Sequence, residues 1–293
     1  TGVIYLRRTL LKVHMSDRLA ALLAQYSIQV NTFHAGRLGS VHMLEHSEGL
    51  GQLHLITEGV AEIRSGSSPV IHVTEPTVIL FAKPASRVFH TEPMHPVSVV
   101  SADLDFQGGS ANPILASLPD CVSLPLANVP DAAPIFSVLQ LEVGANHCGR
   151  KVMMNSLCQV VLIHFLRELM DQKKIEGGTL AGLSHPLLTK AIVALHDRPD
   201  SEWTINTLAK TAGMSRTSFA EAFKNTVGVT PMVYLQTWRI GLAQSGIKAG
   251  RALKLVAMDV GYASEGALSR AFRSQTGHSP REWKKELISR QAA

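Results

Sequence analysis

The sequence predicts an α+β chain of two domains. Residues 16–172 read as an antiparallel β barrel with flanking helices, and 185–290 as an all-α unit of two helix-turn-helix modules joined by a long helix. Three observations predict this. Short apolar runs separated by turn residues fill 28–105, and strands recurring about every 8–12 residues belong to antiparallel sandwiches and barrels. One pattern is written twice between Trp203 and Lys285, and repetition at fixed spacing means one supersecondary unit used twice. Charge is divided as well: residues 185–293 hold 15 Lys+Arg against 8 Asp+Glu, a net +7, while 1–184 hold 13 against 15, a net −2.

At 293 residues, 45% hydrophobic and 17% charged, the chain has apolar surface for two ordinary cores. Residues 1–15 are basic and carry no chemistry-bearing pattern. Arg7-Arg8 precedes Leu10-Leu11 without a sustained apolar segment, so no signal peptide is expected. No apolar run reaches the roughly 18 residues of a bilayer span, and no membrane is expected as a partner. Cys121, Cys148 and Cys158 are odd in number and lack C-x-x-C spacing, as expected of reduced thiols in a cytoplasmic protein.

Taken in order, Asp17–Tyr26 reads as a short amphipathic helix with Ser16 as N-cap. Strands are expected at Ile28–Phe33, Ser40–Leu44, Gln52–Thr57, Ala61–Arg64, Val70–Val73, Thr77–Phe81, Arg87–His90 and Val97–Leu104, with Gly- and Pro-containing turns between them. Prolines 113, 119, 125 and 130 make Asn112–Asp131 an irregular crossing. Helices follow at Ala132–Glu142 and Arg150–Gln172. The second shows a broad apolar face of Met153, Leu157, Val160, Val161, Phe165 and Leu169, which requires burial against another element or a second chain. Glycines 177, 178 and 182 favour conformational freedom in Lys173–Ser184, expected to be the linker. A helix over Leu187–His196 then leads into the repeat.

The first copy reads Leu208-Ala209, Ala212–Arg216, Phe219, Ala222–Lys224, Gly228 and Thr230-Pro231. The second reads Val256-Ala257, Val260–Tyr262, Leu268, Ala271–Arg273, Gly277 and Ser279-Pro280. A short helix ends, a glycine takes the positive φ of the turn, and Ser215 or Ser264 stands where an N-cap oxygen starts the next helix. Phe219, Ala222 and Phe223 recur at i, i+3, i+4, as do Leu268, Ala271 and Phe272, leaving a polar outer face. A helix pair with a polar second helix is the shape that enters a major groove. Phe219, Phe223, Leu268, Phe272, Tyr234, Trp238 and Trp283 are expected in the core, with Arg239 as a half-buried ion-pair residue.

From about His185 to Glu286 the chain resembles the DNA-binding domain of AraC/XylS-type transcription regulators. Gly213–Arg216, Phe223-Lys224, Pro231–Leu235, Trp238-Arg239, Gly261-Tyr262, Ser269–Arg273 and Gly277–Pro280 carry the resemblance. It implies promoter DNA as partner and a long helix, Pro231–Ser245, that brings both second helices to one DNA face. Met232, Leu235, Trp238 and Leu242 would lie on one side of it. Position by position, Arg216, Thr217, Ser218, Ala220 and Glu221 would face base edges, with Arg216 suited to guanine, Glu221 to cytosine and Thr217 to a thymine methyl. In the second module Ser264, Glu265, Gly266, Ala267 and Arg270 match. Gly266 and Ala267 are small, so this module is expected to act more through shape and phosphates. Lys224, Arg273 and Lys254 are the expected phosphate partners. The resemblance also implies an activator and RNA polymerase and a second copy as further partners.

Leu53–Gly59 and Leu80–Pro84 resemble the cupin-type sensory domain that precedes some AraC-type DNA-binding domains. Such barrels enclose small ligands, which implies control by a small-molecule effector. Metal-binding cupins carry paired histidines, a glutamate and a later histidine. Here His54 and Glu58 keep part of that motif, Ile56 replaces the second histidine, and His90 falls six residues after Pro84 rather than five. His34, His54 and His90 are thus the metal candidates, weighed against ordinary strand histidines, and no cofactor is expected. A metal-dependent cupin enzyme fused to a DNA-binding domain is the alternative. No G-x-S-x-G, P-loop, dinucleotide glycine pattern or H-E-x-x-H occurs, and three scattered cysteines cannot form the thiolate zinc cluster of a methyl-transfer repair protein.

Overall fold

A computed structural model describes residues 17–44, 49–66, 69–92, 96–129, 132–145 and 147–291. Helix α1 (Ala20–Gln25) is started by the Asp17 carboxylate, which accepts the Leu19 and Ala20 N–H groups at 3.1 and 3.0 Å. The expected cap, Ser16, lies outside the described residues.

Nine strands follow among the described residues: β1 (Ile28–Leu38), β2 (Val41–Leu44), β3 (Gly51–Glu58), β4 (Ala61–Ser65), β5 (Ile71–Val73), β6 (Thr77–Phe81), β7 (Arg87–Thr91), β8 (Val97–Phe106) and β9 (Cys121–Pro125). They form two antiparallel sheets, β1-β8-β3-β6-β9 and β2-β7-β4-β5. The two are not hydrogen-bonded into a ring, so the barrel is an open sandwich. Strand β9 falls where an irregular crossing was expected. It pairs only with β6, at the sheet edge, with Pro125 as its last residue; at an edge the missing proline N–H breaks no ladder bond. Strand β1 runs five residues beyond its expected end, past a register shift between Thr32 and His34.

The larger sheet is buried on both faces, as period-2 alternation shows. Leu53, Leu55, Val78, Leu80, Val100, Ala102 and Leu104 face the helices. Ile56, Ile79, Phe81, Val97 and Val99 face the smaller sheet and meet Leu38, Leu44, Ile63, Val73 and Phe89 there. The sandwich interior is therefore occupied by its own side chains.

Helix α2 (Ala132–Val143) packs on α3 (Arg150–Asp171), which packs on the outer face of the larger sheet, chiefly against β1. By length and mean hydropathy α3 could cross a bilayer, yet Met154, Cys158, Val161, Leu162, Phe165, Leu166 and Leu169 are built into the core. The expected face was turned by about one residue: Met153 and Val160 are 45% and 40% exposed. Stepping by three and four from Met154, rather than from Met153, gives the stripe that meets the sheet.

The glycine-rich stretch 173–184 is not open chain throughout. Helix α4 (Gly178–Ser184) forms with Thr179–Leu183 buried, packed on α5 (Leu188–Asp197) and α7 (Arg216–Val227). Glycine is what this packing needs: a Cβ at Gly182 would lie 2.6 Å from Ile192 and 2.8 Å from Val227. The remaining helices are α6 (Ile205–Ala212), α8 (Pro231–Lys248), α9 (Leu253–Asp259), α10 (Glu265–Thr276) and α11 (Pro280–Gln291). Pro231 opens α8 at its first turn, where its missing N–H breaks no bond. Leu235 and Trp238 are buried on α8, whereas Met232, expected beside them, is 38% exposed.

Candidate nucleic-acid interface

Each module is assembled from local signals. Thr204 Oγ1 accepts the Thr207 N–H at 3.1 Å and Thr207 Oγ1 accepts the Thr204 N–H at 2.9 Å, a reciprocal cap that starts α6. The helix ends at Gly213, φ +69°, and the Met214 N–H reaches back to the Ala209 carbonyl at 2.9 Å. Ser215 then accepts the Ser218 N–H at 3.2 Å and starts α7. The second copy repeats this: Gly261 at φ +78°, Tyr262 N–H to the Ala257 carbonyl at 2.8 Å, and Ser264 accepting the Ala267 N–H at 3.2 Å to start α10. Both turns thus form as the repeat predicts.

Behind the outer faces, Phe219, Phe223, Leu268 and Phe272 are fully buried, each stabilising by about 1.5–3 kcal/mol. Tyr234 and Trp238 are buried too, whereas Trp283 is half-buried against Phe272, with ring centroids 5.8 Å apart.

On α7, Arg216, Thr217, Ser218, Glu221 and Lys224 are exposed, and Ala220 is half-buried. Arg216, Glu221 and Lys224 have no ion-pair partner among the described residues. Ser218 is less free than its position suggests, since Ser215 Oγ donates to its hydroxyl at 2.9 Å. On α10, Glu265, Gly266, Arg270 and Arg273 are exposed and Ala267 is half-buried. Ser264 is spent on the cap. A Cβ at Gly266 would lie 3.7 Å from the Arg270 guanidinium, so Arg270 runs back over the small residues one turn earlier, as i and i+4 share a face. Lys254, on α9, is exposed.

Arg239 fixes one module to the other, though not through the expected ion pair. Its Nε and Nη2 donate to the carbonyls of Pro199 and Ser201 at 2.7 and 2.9 Å, and its guanidinium stands 5.7 Å from the Tyr262 ring. Burial lowers its pKa, with Tyr262 and Asp200 acting in the opposite direction. The turn glycine of the second module sits against the same contact. A Cβ on Gly261 would meet Arg239 at 2.7 Å and the Asp200 backbone at 2.8 Å, whereas one on Gly213 would meet open space. Sequence reading missed this joint; the only signal was an arginine directly after Trp238.

The metal candidates do not converge. His54 is fully buried between Phe81 and Phe89, its Nδ1 2.8 Å from Ser101 Oγ. Burial, then the charges of Arg87 and His34, push its pKa down to about 3, so it stays neutral. Beside it, the buried Arg87 donates to Gln52 Oε1 at 2.6 Å and to the Lys83 carbonyl at 2.7 Å, and stacks on Phe81. Burial lowers its pKa to about 10. His90 is half-buried on β7. Among the described residues no three His, Cys, Asp or Glu side chains are placed to hold a metal ion.

Comparison with known proteins agrees with this architecture. The Cupin family profile matches residues 17–171, and a helix-turn-helix domain profile matches 208–286. A putative AraC-like transcription regulator of Streptomyces lividans is 32% identical over 212 residues, covering 71% of this chain and 69% of that protein. The RCS-specific HTH-type transcriptional activator RclR of Escherichia coli is 29% identical over 85% of this chain and 90% of its own. HTH-type transcriptional regulator AlkR of Acinetobacter baylyi is 31% identical, with 65% and 63% covered. Among solved structures, the DNA-binding domain of AdpA in complex with a target DNA matches 36% of this chain and 96% of its own, at 30% identity and a TM-score of 0.34. The chain belongs to the AraC-type family of DNA-binding transcription regulators, with a cupin domain ahead of its paired helix-turn-helix modules.

Proposed function

We propose that this regulator activates transcription by placing α7 and α10 in neighbouring major-groove sites about one turn (~34 Å) apart, under control of a small molecule. The observation that carries the reading is the outer face of α7, where Arg216, Thr217, Glu221 and Lys224 are exposed on a helix fixed behind by two buried phenylalanines. Arg216 and Glu221 are the base readers. Lys224, Arg273 and Lys254 bind phosphates. Arg270 contributes from the second module, whose Gly266 and Ala267 offer little to hydrogen-bond a base. Ser264 acts mainly as the helix cap of α10, and Ser218 is held at the start of α7 by the Ser215 cap.

Activation over repression is supported by the relative from E. coli, whose name states that it is an activator. The N-terminal half, 16–172, is the sensory unit, and the packing of α4 supports counting it with the DNA-binding half. The apolar side chains left on α2 and α3, Leu141, Val152 and Met153, suit a second copy, and RNA polymerase is the partner at the promoter. The protein works in the cytoplasm, as a regulator of this family would.

The test is anisotropy of a labelled duplex from the gene's own upstream region across a salt series. A linear fall of log affinity with log salt, together with preference over random duplex, supports the reading. Equal affinity for random duplex at every salt concentration contradicts it.

A further inference from the structure

Helix α4 is too short and too rich in glycine to stand on its own. It has 7 residues, Gly178 and Gly182 among them, whereas an isolated helix needs roughly 12–15 residues to be even marginal in water. Glycine inside a helix weakens it further. Its start also lacks a local cap, because the residue before it is Gly177, which has no side chain to offer. The missing oxygen comes from the sensory half. Ser117 Oγ accepts the Leu180 N–H at 3.2 Å and donates its own proton to the Pro113 carbonyl at 2.6 Å. It thus does for the first turn of α4 what an N-cap side chain does locally. A Cβ on Gly178 would stand 2.5 Å from that oxygen, so Ser117 fills the space beside the helix start.

Ser117 is itself held from behind. The fully buried Asn112 accepts the Ile114 and Leu115 N–H groups through Oδ1 at 2.9 and 3.3 Å, and donates through Nδ2 to the Gln107 carbonyl at 2.9 Å. Gln107 directly follows β8, which lies between β1 and β3 in the larger sheet. At its other side α4 packs on α7. Gly182 lies against Val227, which is buried on α7 with Phe219 and Phe223. Thr179 hydrogen-bonds the Tyr234 hydroxyl of α8. A chain of contacts therefore runs from the sensory sheet, through one hydroxyl, to the back of the first recognition helix.

We propose that Ser117 is a positioning residue for promoter recognition: its hydroxyl, carried by the sensory half, caps α4 and so decides whether α4 stays docked behind α7. The inference rests on the regulator reading and names the contact that couples the two halves. With the cap in place, α4 supports α7. When the Leu115–Ser117 turn shifts out of reach, the Leu180 N–H loses its acceptor, and 173–184 reverts to the open chain its glycines favour. A change at the end of β8 thus meets different contacts in the docked and undocked states, which is what a shift between them requires. Coupling is reciprocal, so DNA held by α7 must in turn tighten the Ser117 cap.

The experiment follows amide hydrogen exchange and duplex anisotropy in the full chain, comparing wild type with Ser117→Ala and Ser184→Ala. Ser117→Ala removes the acceptor with little change of volume. Ser184 Oγ donates to the Leu180 carbonyl at 2.8 Å, so Ser184→Ala removes a hydrogen bond of α4 that does not cross between the halves. Without DNA, Ser117→Ala should speed exchange of 180–185 about tenfold and leave α10 unchanged. Unchanged exchange of 180–185 overturns the cap. Affinity for the upstream duplex should fall about fivefold in Ser117→Ala, only while the half-site of α7 is intact, and stay level in Ser184→Ala. A loss of equal size with either half-site scrambled, or an equal loss in Ser184→Ala, makes Ser117 merely structural and overturns the proposal. Duplex should also slow exchange of 114–118 in wild type and not in Ser117→Ala; no slowing in wild type overturns the coupling. The two readings fail separately. Specific duplex binding with unchanged exchange in Ser117→Ala sinks the proposal alone, whereas a wild type without duplex preference sinks the positioning role together with the regulator reading.

Discussion

The two helix-turn-helix modules are copies in sequence and in local geometry, yet they are anchored differently. Leu208, Ala212, Phe219 and Phe223 of the first lie in one continuous core with the larger sheet, α3, α4 and α5. Val256, Ala257, Leu268 and Phe272 of the second form a separate cluster with Ile240, Ala243 and Ile247. Helix α8 supplies both, its first half to the large core and its second half to the small one. A repeat thus specifies a unit but not how firmly the unit is tied to the rest. The first module shares the core of the sensory half, whereas the second is held by α8, α11 and the Arg239 joint. Local opening follows the amount of buried contact, so the second module should open at lower free energy.

The largest effect that can break this contrast is truncation of the two cores. Leu208→Ala and Leu268→Ala should each destabilise by about 2–5 kcal/mol. By amide hydrogen exchange, Leu268→Ala should accelerate exchange in 240–291 alone, while Leu208→Ala should also loosen the larger sheet. Faster exchange of β3 and β8 in Leu268→Ala would erase the distinction.

Alanine at the two turn glycines sharpens it. Gly213→Ala faces only the left-handed backbone and should cost about 1–2 kcal/mol. Gly261→Ala adds a collision with the Asp200 backbone and Arg239, and should cost about 3 kcal/mol or more, since close-packed backbone cannot yield as a surface can. Urea midpoints of the two variants decide it, and equal midpoints would remove Arg239 and Gly261 as a joint.

On DNA, Arg216→Ala should cost roughly 1–3 kcal/mol and flatten preference at one base pair. Arg270→Ala should cost about 1 kcal/mol or less, evenly across base variants. A panel of singly substituted duplexes measures both.

The smallest effect concerns pH. His196, stacked on Trp238, has its pKa pushed down to about 3 by burial, against about 6.5 when exposed. Between those values the unfolded state binds the proton that the folded state refuses. Stability therefore rises with pH through this window and is level above it. The slope approaches about 1.4 kcal/mol per pH unit for this histidine, with His54 adding a similar share. Acid should therefore loosen the first module before the second, and His196→Phe should remove one share of the slope of stability against pH.

Much of this was legible in the chain because it rests on local signals. Ser215, Gly213 and the Phe219/Phe223 spacing define a turn and a helix without help from anything distant. The period-2 runs likewise locate eight of the nine strands. What was not legible depends on partners far along the chain. Strand β9 exists because β6 offers an open edge, and its proline disguised it. Helix α4 exists because Ile192 and Val227 leave room only for Gly182, which from sequence suggests freedom rather than packing. Which residues of α3 face inward is set by the sheet beneath, and a shift of one position moved Met153 and Val160 to the surface. The filled sandwich interior is a property of packed volume, which no short motif encodes.

The most direct measurement takes a footprinted upstream duplex and scrambles the two half-sites separately, with affinity read by anisotropy at fixed salt. The account predicts a loss of about 100-fold or more when the half-site of the first module is scrambled. It predicts a loss nearer tenfold for the second, whose proposed contacts are mostly to phosphate. Equal tolerance of both scrambled half-sites would contradict sequence-specific recognition by these helices. A larger loss at the second half-site would reverse the roles assigned to them.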